Sequence, residues 1–257
     1  MCGLAGMLFY PTQRSDTEWA ELREVFTRMV VFNEERGREA SGAALISRDG
    51  ILRLFKQPVP ASQLVKMEPY QDIMASIGPD TTCLLGHTRA PTKGSRWNNA
   101  NNHPLLVGHT VGIHNGIIDN DDDLFTRSGF SRHGEVDSEI IFSLLDRIGP
   151  ISNNGSYPPL VQRQVSLLEG FFATLSVDLR RPTHLLVLKY LRPLCLHYEK
   201  RLNALFFSSR YLFLRKAFGR AVITEALEAE RGFIFDAGQL LERGETPLCC
   251  FDIAPAD

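Results

Sequence analysis

The chain has 257 residues, 44% of them hydrophobic, which is enough to bury the core of one large domain or two small ones. A net charge of −2 argues against a nucleic-acid or membrane partner held by bulk electrostatics. No apolar run reaches the roughly 18 residues of a membrane span, and the first residues do not resemble a signal peptide. The five cysteines are scattered and show no Cys-x-x-Cys spacing, so we expect a cytoplasmic protein.

The first half of the chain is predicted to begin with a buried strand and a long helix. Residues 3–10 are almost entirely apolar and predict the strand. Ser15 and Glu18 have the spacing of a capping box, and they open a helix that has ended by Gly37. We then predict two strands joined at Asp49-Gly50, a helix, and another strand: 42–47, 51–56, 62–77 and 82–88.

The second half is predicted to pass from loops and helices into short strands. Residues 98–102 are read as a loop because they are too polar to pack, and residues 153–156 are read as a linker. Apolar spacing predicts a helix from Ser138 to Ile148. The remaining elements are strands near 107–114, 171–177, 185–189, 194–197, 205–208, 232–236 and 247–253, and a helix near 158–168. Strands at both ends with helices between them favour stacked sheets covered by helices.

Cys2 is the strongest chemical signal, because removal of Met1 would place a thiol and a free α-amino group on one residue. The α-amino group has a pKa of about 7.7–8.0, so a useful fraction of it is neutral and able to act as a base. A thiolate is a strong nucleophile, and Gly3 leaves room beside it. Most chains that begin Met-Cys are not enzymes of this kind, so this interpretation depends on the other segments.

Two further segments offer groups that thiolate hydrolysis of an amide requires. Arg89 lies at a strand end between glycine and proline, which suits a bidentate grip on a carboxylate as well as a surface ion pair. Asn115-Gly116 follows a strand and has the sequence of a turn. In the functional interpretation, the Asn115 amide and the Gly116 N–H donate hydrogen bonds to an oxyanion.

Asp137 and Arg36 complete the candidate set. Asp137 opens the helix at Ser138, where it is suited either to N-capping or to binding an ammonium group. Arg36 lies in a glycine-containing turn between a helix and a strand, where arginine favours the helix C-terminus. The four central histidines lack the spacing of a metal site, so we read them as structural and expect no metal and no cofactor: His87, His103, His109 and His114.

Taken together, these segments resemble the class II glutamine amidotransferases, the N-terminal-cysteine branch of the Ntn hydrolases, and especially the glutaminase half of glucosamine-phosphate synthases. The resemblance covers about residues 1–215. It is carried by six motifs in the same order and spacing: residues 1–6, 36–42, 86–94, 101–104, 114–120 and 136–139.

The resemblance implies an α+β fold, a four-layer α/β/β/α sandwich of two stacked antiparallel sheets. It also implies that Cys2 attacks the side-chain amide of glutamine, with its own α-amine as the base. Asn115 and Gly116 would form the oxyanion hole. A glutamyl thioester would form on Cys2, ammonia would leave, and water would release glutamate.

The remaining roles implied by the resemblance concern substrate binding. Arg89 would bind the α-carboxylate of glutamine and Asp137 its α-ammonium group. Thr92 would line the pocket, and Arg36 would support the nucleophile. The family pattern has an aromatic residue and a histidine where this chain has Ala90 and Lys93, so the resemblance does not imply the gating of ammonia passage seen in that relative.

The family usually fuses this domain to a synthetase, whereas the sequence here is expected to form a single glutaminase domain over residues 1–257. Residues 216–257 are too few for an ammonia-accepting domain, so we expect them to complete the sandwich. The expected partners are L-glutamine and a separate ammonia-accepting enzyme, without nucleic acid or membrane.

Two alternatives remain open at this point. A γ-glutamyl amidohydrolase would use the same thiolate on a larger γ-glutamyl compound without transferring ammonia, and Ala90 leaves room for the added group. A non-catalytic scaffold would need none of the candidate residues, and retention of Met1 would favour it.

Overall fold

The computed structural model describes residues 1–152 and 155–253, so the predicted linker residues Asn153 and Asn154 lie outside it, as do the last four residues. The strands in these ranges are β1 (Gly3–Phe9), β2 (Ala40–Ser47), β3 (Leu52–Gln57), β4 (Thr81–Arg89), β5 (Leu105–Val107), β6 (Thr110–Ile118), β7 (Gly170–Asp178), β8 (His184–Tyr190), β9 (Cys195–Glu199), β10 (Ala204–Ser208), β11 (Glu225–Ala226), β12 (Arg231–Asp236) and β13 (Cys249–Asp252). The helices are α1 (Asp16–Asn33), α2 (Ala61–Leu64), α3 (Glu68–Ala75), α4 (Asp121–Ser128), α5 (Ser138–Ile148), α6 (Tyr157–Val165), α7 (Tyr211–Phe218) and α8 (Leu240–Arg243).

The strands form two antiparallel sheets. The first has the order β11-β9-β10-β1-β4-β2-β3, and the second has the order β13-β12-β8-β7-β6-β5. β1 is central in the first sheet, where Gly3 pairs with Thr88 of β4 and Ala5 pairs with Ser208 of β10. Cys2 therefore directly precedes a strand that is held on both sides.

β1 is buried on both faces, which explains its continuous apolar sequence. Leu4 and Leu8 face the core between the sheets, whereas Ala5, Met7 and Phe9 face the helices outside the first sheet. Successive side chains of a strand point to opposite faces, so these two sets alternate along the strand. Complete burial of one large apolar side chain contributes about 1.5–3 kcal/mol, so β1 is firmly anchored.

Each outer sheet face is covered by helices. α1 packs against β1 and α7, and its Phe26 is fully buried. α5 packs against β6 and α6, with Ile140 and Phe142 fully buried in the cluster on that side. The order helix, sheet, sheet, helix confirms the predicted α/β/β/α sandwich.

Two expectations about local structure are wrong. Residues 98–102 were expected to be too polar to pack, yet Asn101 and Asn102 are fully buried. Their amides are paired, since Asn101 Nδ2 donates to Glu135 at 2.7 Å and Asn102 Nδ2 donates to the Arg96 carbonyl at 2.7 Å. The helix expected at 62–77 is divided into α2 and α3, and Pro69 lies in the first turn of α3.

The C-terminal part of the described chain joins both sheets. β11 pairs with β9 in the first sheet, while β12 pairs with β8 and with β13 in the second. α7 was not predicted, although Phe213, Leu214 and Ala217 form its buried face. Among the described residues, no helix has both the length and the hydropathy needed to cross a bilayer.

Candidate active site

Cys2 lies at the entrance of β1 beside the segment that follows β4. Its Sγ is 3.6 Å from the carbonyl oxygen of Ala90. Arg36 Nε donates a hydrogen bond of 2.7 Å to the Cys2 carbonyl, so this arginine holds the backbone of Cys2 and not its sulfur. A Cβ on Gly3 would lie 2.5 Å from Thr88 Oγ1 of β4 and 2.7 Å from Asn33 Cβ of α1, so packing against the neighbouring strand and helix requires glycine there.

The Cys2 thiol is held in its neutral form at rest. Burial raises its pKa above the ordinary value, and the nearby Asp137 carboxylate adds to that effect. Positive charges at the chain terminus and at Arg89 act in the opposite direction without reversing it. A neutral thiol is a poor nucleophile, so catalysis at Cys2 requires a base in contact with it. The α-amine that Met1 removal would free is such a base.

The Asn115-Gly116 pair lies inside β6, not in a turn. Asn115 pairs with Ala173 and Gly116 with Phe172 of β7. The Nδ2 group of Asn115 is buried and has no hydrogen-bond partner, which is a costly condition for a donor. Gly116 has φ +156°, and a Cβ there would lie 2.0 Å from the Phe171 carbonyl oxygen, so only glycine fits. An unpartnered donor beside this glycine is the arrangement that an oxyanion hole requires.

Arg89 is 2% exposed, so a surface ion pair does not explain it. Its guanidinium donates to neutral oxygens, Asn102 Oδ1 at 2.9 Å and the carbonyl oxygens of Lys93 at 2.6 Å and Gly94 at 2.9 Å. Burial lowers the pKa of Arg89, while the charges of Cys2 and Asp137 raise it. In the described part of the chain no carboxylate lies within ion-pair distance of Arg89, so its charge is available to a ligand.

Asp137 does not cap α5. Its backbone is helical, and its side chain accepts no backbone N–H from the first turn of the helix, only the Ser138 hydroxyl at 3.4 Å. Instead, Asp137 Oδ2 accepts the N–H of Ile118 in β6 at 2.8 Å, and the residue is 6% exposed. A buried carboxylate without a cationic partner in contact is suited to bind an ammonium group.

Five of the seven predicted residues line one small cavity: Cys2, Arg89, Thr92, Gly116 and Asp137. Asn115 and Arg36 do not line it. The lining also contains residues that the sequence analysis did not assign to a site: Ala90, Pro91, Lys93, His103, His114, Val136 and Ser138. Most of these residues are adjacent in the sequence to a residue of one of the motifs, and this adjacency is the sequence feature that could have identified them.

The cavity is closed to glutamine in this conformation. Its volume is about 20 Å³, which is room for about one water molecule. The segment 90–97 is tied down by Lys93, whose Nζ lies 2.8 Å from Asp121 Oδ2 and 2.9 Å from Asp122 Oδ2. A ligand of the size of an amino acid would need a wider cavity than this one. A much larger cavity of about 510 Å³ lies elsewhere, against β9 and β11, and includes none of the predicted residues.

Three buried histidines lie at the cavity, two of which, His103 and His114, line it. His87 and His103 stack with ring centres 4.3 Å apart, and His87 Nε2 donates to the His114 carbonyl at 2.9 Å. His114 Nδ1 lies 2.7 Å from Ser138 Oγ. Burial lowers the pKa of all three from the ordinary 6.5, for His87 to about 3. These rings are therefore neutral at physiological pH.

Acidification is expected to destabilise the fold through these histidines. His87 and His103 stay neutral when folded but bind a proton when unfolded below pH 6.5, so stability present above that pH is lost as the pH falls. Each neutral ring accounts for about 1.4 kcal/mol of lost unfolding free energy between pH 7.5 and 5.5. Urea unfolding at the two pH values measures the loss. His103→Phe retains a ring but cannot bind a proton, so its loss of unfolding free energy should be smaller by the contribution of one histidine. Equal losses in the wild type and in this variant would show that the histidines are not the cause.

Comparisons with known proteins were made for sequence and for fold. No protein-family profile matches the chain. It is 25% identical over 213 residues to 7-cyano-7-deazaguanine synthase 2 of Sulfurisphaera tokodaii, covering 81% of this chain and 43% of that protein. It is 28% identical over 197 residues to glutamine–fructose-6-phosphate aminotransferase (isomerizing) of Salmonella paratyphi A, covering 76% of this chain and 29% of that protein. The chain thus corresponds to less than half of either relative.

Two solved structures share the fold. Glutamine phosphoribosylpyrophosphate amidotransferase from B. subtilis matches 98% of this chain and 49% of its own, with a TM-score of 0.70 and 17% identity. A glutamine aminotransferase class-II domain protein from Silicibacter pomeroyi matches 99% of this chain and all of its own, with a TM-score of 0.58 and 13% identity. The comparisons confirm the predicted resemblance, the fold class and the prediction that the chain is an enzyme.

Proposed function

We propose that this class II glutamine amidotransferase domain hydrolyses the side-chain amide of glutamine through a glutamyl thioester on Cys2, and that it supplies the ammonia to a separate acceptor enzyme. The observation that carries the proposal is the convergence of Cys2, Arg89, Gly116 and Asp137 on one cavity, although they come from four distant parts of the sequence.

The charges of the site match those of a free amino acid. Arg89 is a buried cation held by neutral oxygens, and Asp137 is a buried anion held by one backbone N–H. An α-carboxylate on Arg89 and an α-ammonium group on Asp137 would neutralise both. The side-chain amide of glutamine would then extend toward Cys2 and Gly116, where the chemistry takes place.

Attack by the Cys2 thiolate on the amide carbon would create an oxyanion, which the Asn115 amide and the Gly116 N–H would stabilise. Collapse of this intermediate breaks the C–N bond, and the α-ammonium group of Cys2 gives its proton to the departing ammonia. Water then hydrolyses the thioester to glutamate. Arg36 acts as a positioning residue, since it holds the Cys2 carbonyl.

The domain is proposed to act with a partner. Ammonia released in water is largely protonated and escapes, so a glutaminase of this kind is useful when docked on an acceptor. We propose one glutaminase domain, in which β12 and β13 complete the second sheet. A cytoplasmic location is proposed because all five cysteines are free thiols.

Asp137→Asn is expected to raise the KM for glutamine by about tenfold to a hundredfold, because a charge-assisted contact with the substrate ammonium group is lost. The melting temperature should change little, since an asparagine oxygen can still accept the Ile118 N–H. Steady-state release of glutamate and thermal unfolding measure the two effects.

The matched control is Asp123→Asn on the exposed face of α4, which should alter neither KM nor turnover. A purely structural Asp137 would give the reverse pattern, a lower melting temperature with an unchanged KM, and that result would contradict the assigned role.

A further inference from the structure

Three arginines without a carboxylate partner surround the N-terminus. Arg36 and Arg192 both contact the Met1 side chain, and the charge of Arg210, which also lowers the pKa of Glu35, adds to the lowering of the Arg36 pKa that burial mainly causes. Within residues 1–152 and 155–253, none of the three has a carboxylate oxygen within ion-pair distance. Unpaired like charges repel each other, so this cluster is suited to bind an anion.

Arg192 lies beside the oxyanion strand. Its guanidinium stacks on Phe171 at 3.8 Å from the ring centre, and its Nε is buried without a hydrogen-bond partner. The Phe171 carbonyl is the atom that a Cβ on Gly116 would strike. The charge of Arg192 also contributes to the lowered pKa of His114, although burial is the main cause. Arg192 is therefore connected to Gly116 through one residue, Phe171.

The side chain of Met1 occupies the space next to Arg192 and Arg36. Its Sδ lies 3.5 Å from Arg192 Nη1 and 3.9 Å from Arg36 Nη2. Met1 is attached to the α-nitrogen of Cys2, the same nitrogen that would protonate the leaving group. Removal of Met1 therefore opens a space next to the leaving nitrogen of the substrate. Met1 is 61% exposed, so that space is open to solvent and can hold a larger leaving group.

We propose that Arg192, flanked by Arg36 and Arg210, binds an anionic group on the leaving amine, so that the site also hydrolyses γ-glutamyl amides of amino acids. This inference rests on the proposed function, because it uses the same thiolate. The Cys2 S–C bond forms, the C–N bond breaks, and the α-ammonium proton of Cys2 passes to the departing amino acid. Water then splits the thioester, so γ-glutamyl amino acid and water give glutamate and the free amino acid.

A carboxylate suits this position better than a neutral group because the Arg192 guanidinium is held in one plane. Stacking on Phe171 fixes that plane, and a fixed plane favours bidentate binding of a carboxylate. Glutamine, which lacks a group at this position, would leave the arginines unoccupied.

The test compares γ-glutamylglycine with γ-glutamylglycinamide. The leaving group carries a carboxylate in the first and a neutral amide in the second. Glutamine is included as a third substrate. Intact mass first establishes that Met1 has been removed. The wild-type protein should prefer γ-glutamylglycine by about tenfold or more in kcat/KM, the effect of one charge-assisted pair. The preference should fall to about one in Arg192→Gln and be partly retained in Arg192→Lys. Arg215→Gln, an exposed arginine on α7, should keep the wild-type ratio.

Equal kcat/KM for the two amides in the wild type, or a preference that survives in Arg192→Gln, would overturn the anion subsite alone if glutamine is still hydrolysed. Absence of Cys2-dependent hydrolysis of all three substrates would overturn the proposed function and this inference with it. Because each ratio is taken within one protein, partial loss of folded Arg192→Gln does not affect the comparison.

Discussion

Cys2→Ala is expected to reduce glutamine hydrolysis by a factor of about 10⁴ or more, because the chain then lacks the atom that forms the thioester. The fold should be retained. The Cys2 side chain makes one weak contact with the Ala90 carbonyl, while Arg36 holds the residue through its backbone carbonyl, which alanine keeps. Glutamate release and thermal unfolding of the same preparation measure both outcomes.

The control for this prediction is Cys250→Ala, at an exposed thiol on β13 far from the cavity in sequence and outside its lining. It should hydrolyse glutamine at the wild-type rate. Activity of Cys2→Ala close to that of the wild type would show that another group is the nucleophile.

Asn115→Ala is expected to lower kcat for glutamine by about 10² to 10³, the usual effect of losing one oxyanion donor. The physical reason is that the buried Nδ2 has no partner in the resting protein, so its hydrogen bond is free to form only when the oxyanion appears. KM should change much less than kcat. Steady-state kinetics with glutamine distinguish the two parameters.

Thr174→Val is the matched control for Asn115. Thr174 lies opposite His114 on β7, and its hydroxyl is also buried without a partner, but it is not next to Gly116. Its replacement should leave kcat unchanged. A similar fall in kcat for both variants would attribute the effect to disturbed packing of the sheet and not to the oxyanion.

The sequence was informative where local patterns and tertiary packing agree. The apolar run after Cys2 predicted β1 because that strand is buried on both faces, and the capping box of Ser15 and Glu18 is present as expected. The Ser138–Ile148 helix also has the predicted bounds. In each of these cases, the residues that determine the structure are neighbours along the chain.

Local patterns were misleading where a distant partner decides the outcome. Asn-Gly usually forms a turn, but pairing with β7 keeps Asn115 and Gly116 in a strand. Asp137 has the position of a helix cap, but it accepts the Ile118 N–H of another element. Asn102 was read as exposed, yet Arg89 and Arg96 supply its partners. No spacing rule contains these long-range hydrogen bonds.

Two features of the site were not predictable from the motifs. Lys93 of the cavity lining forms ion pairs with Asp121 and Asp122, which lie 28 and 29 positions further along the chain. The arginine cluster near Cys2 combines residues from three separate segments, and in the sequence Arg192 and Arg210 are unremarkable surface residues. Only the fold brings them to the N-terminus.

Peptide mapping of the protein after treatment with 6-diazo-5-oxo-norleucine tests the central claim most directly. This glutamine analogue should form one covalent adduct, on a peptide that begins with Cys2 and lacks Met1, and loss of activity should follow its formation. An adduct on Cys83 or Cys195, or full activity in a protein that retains Met1, would contradict the account.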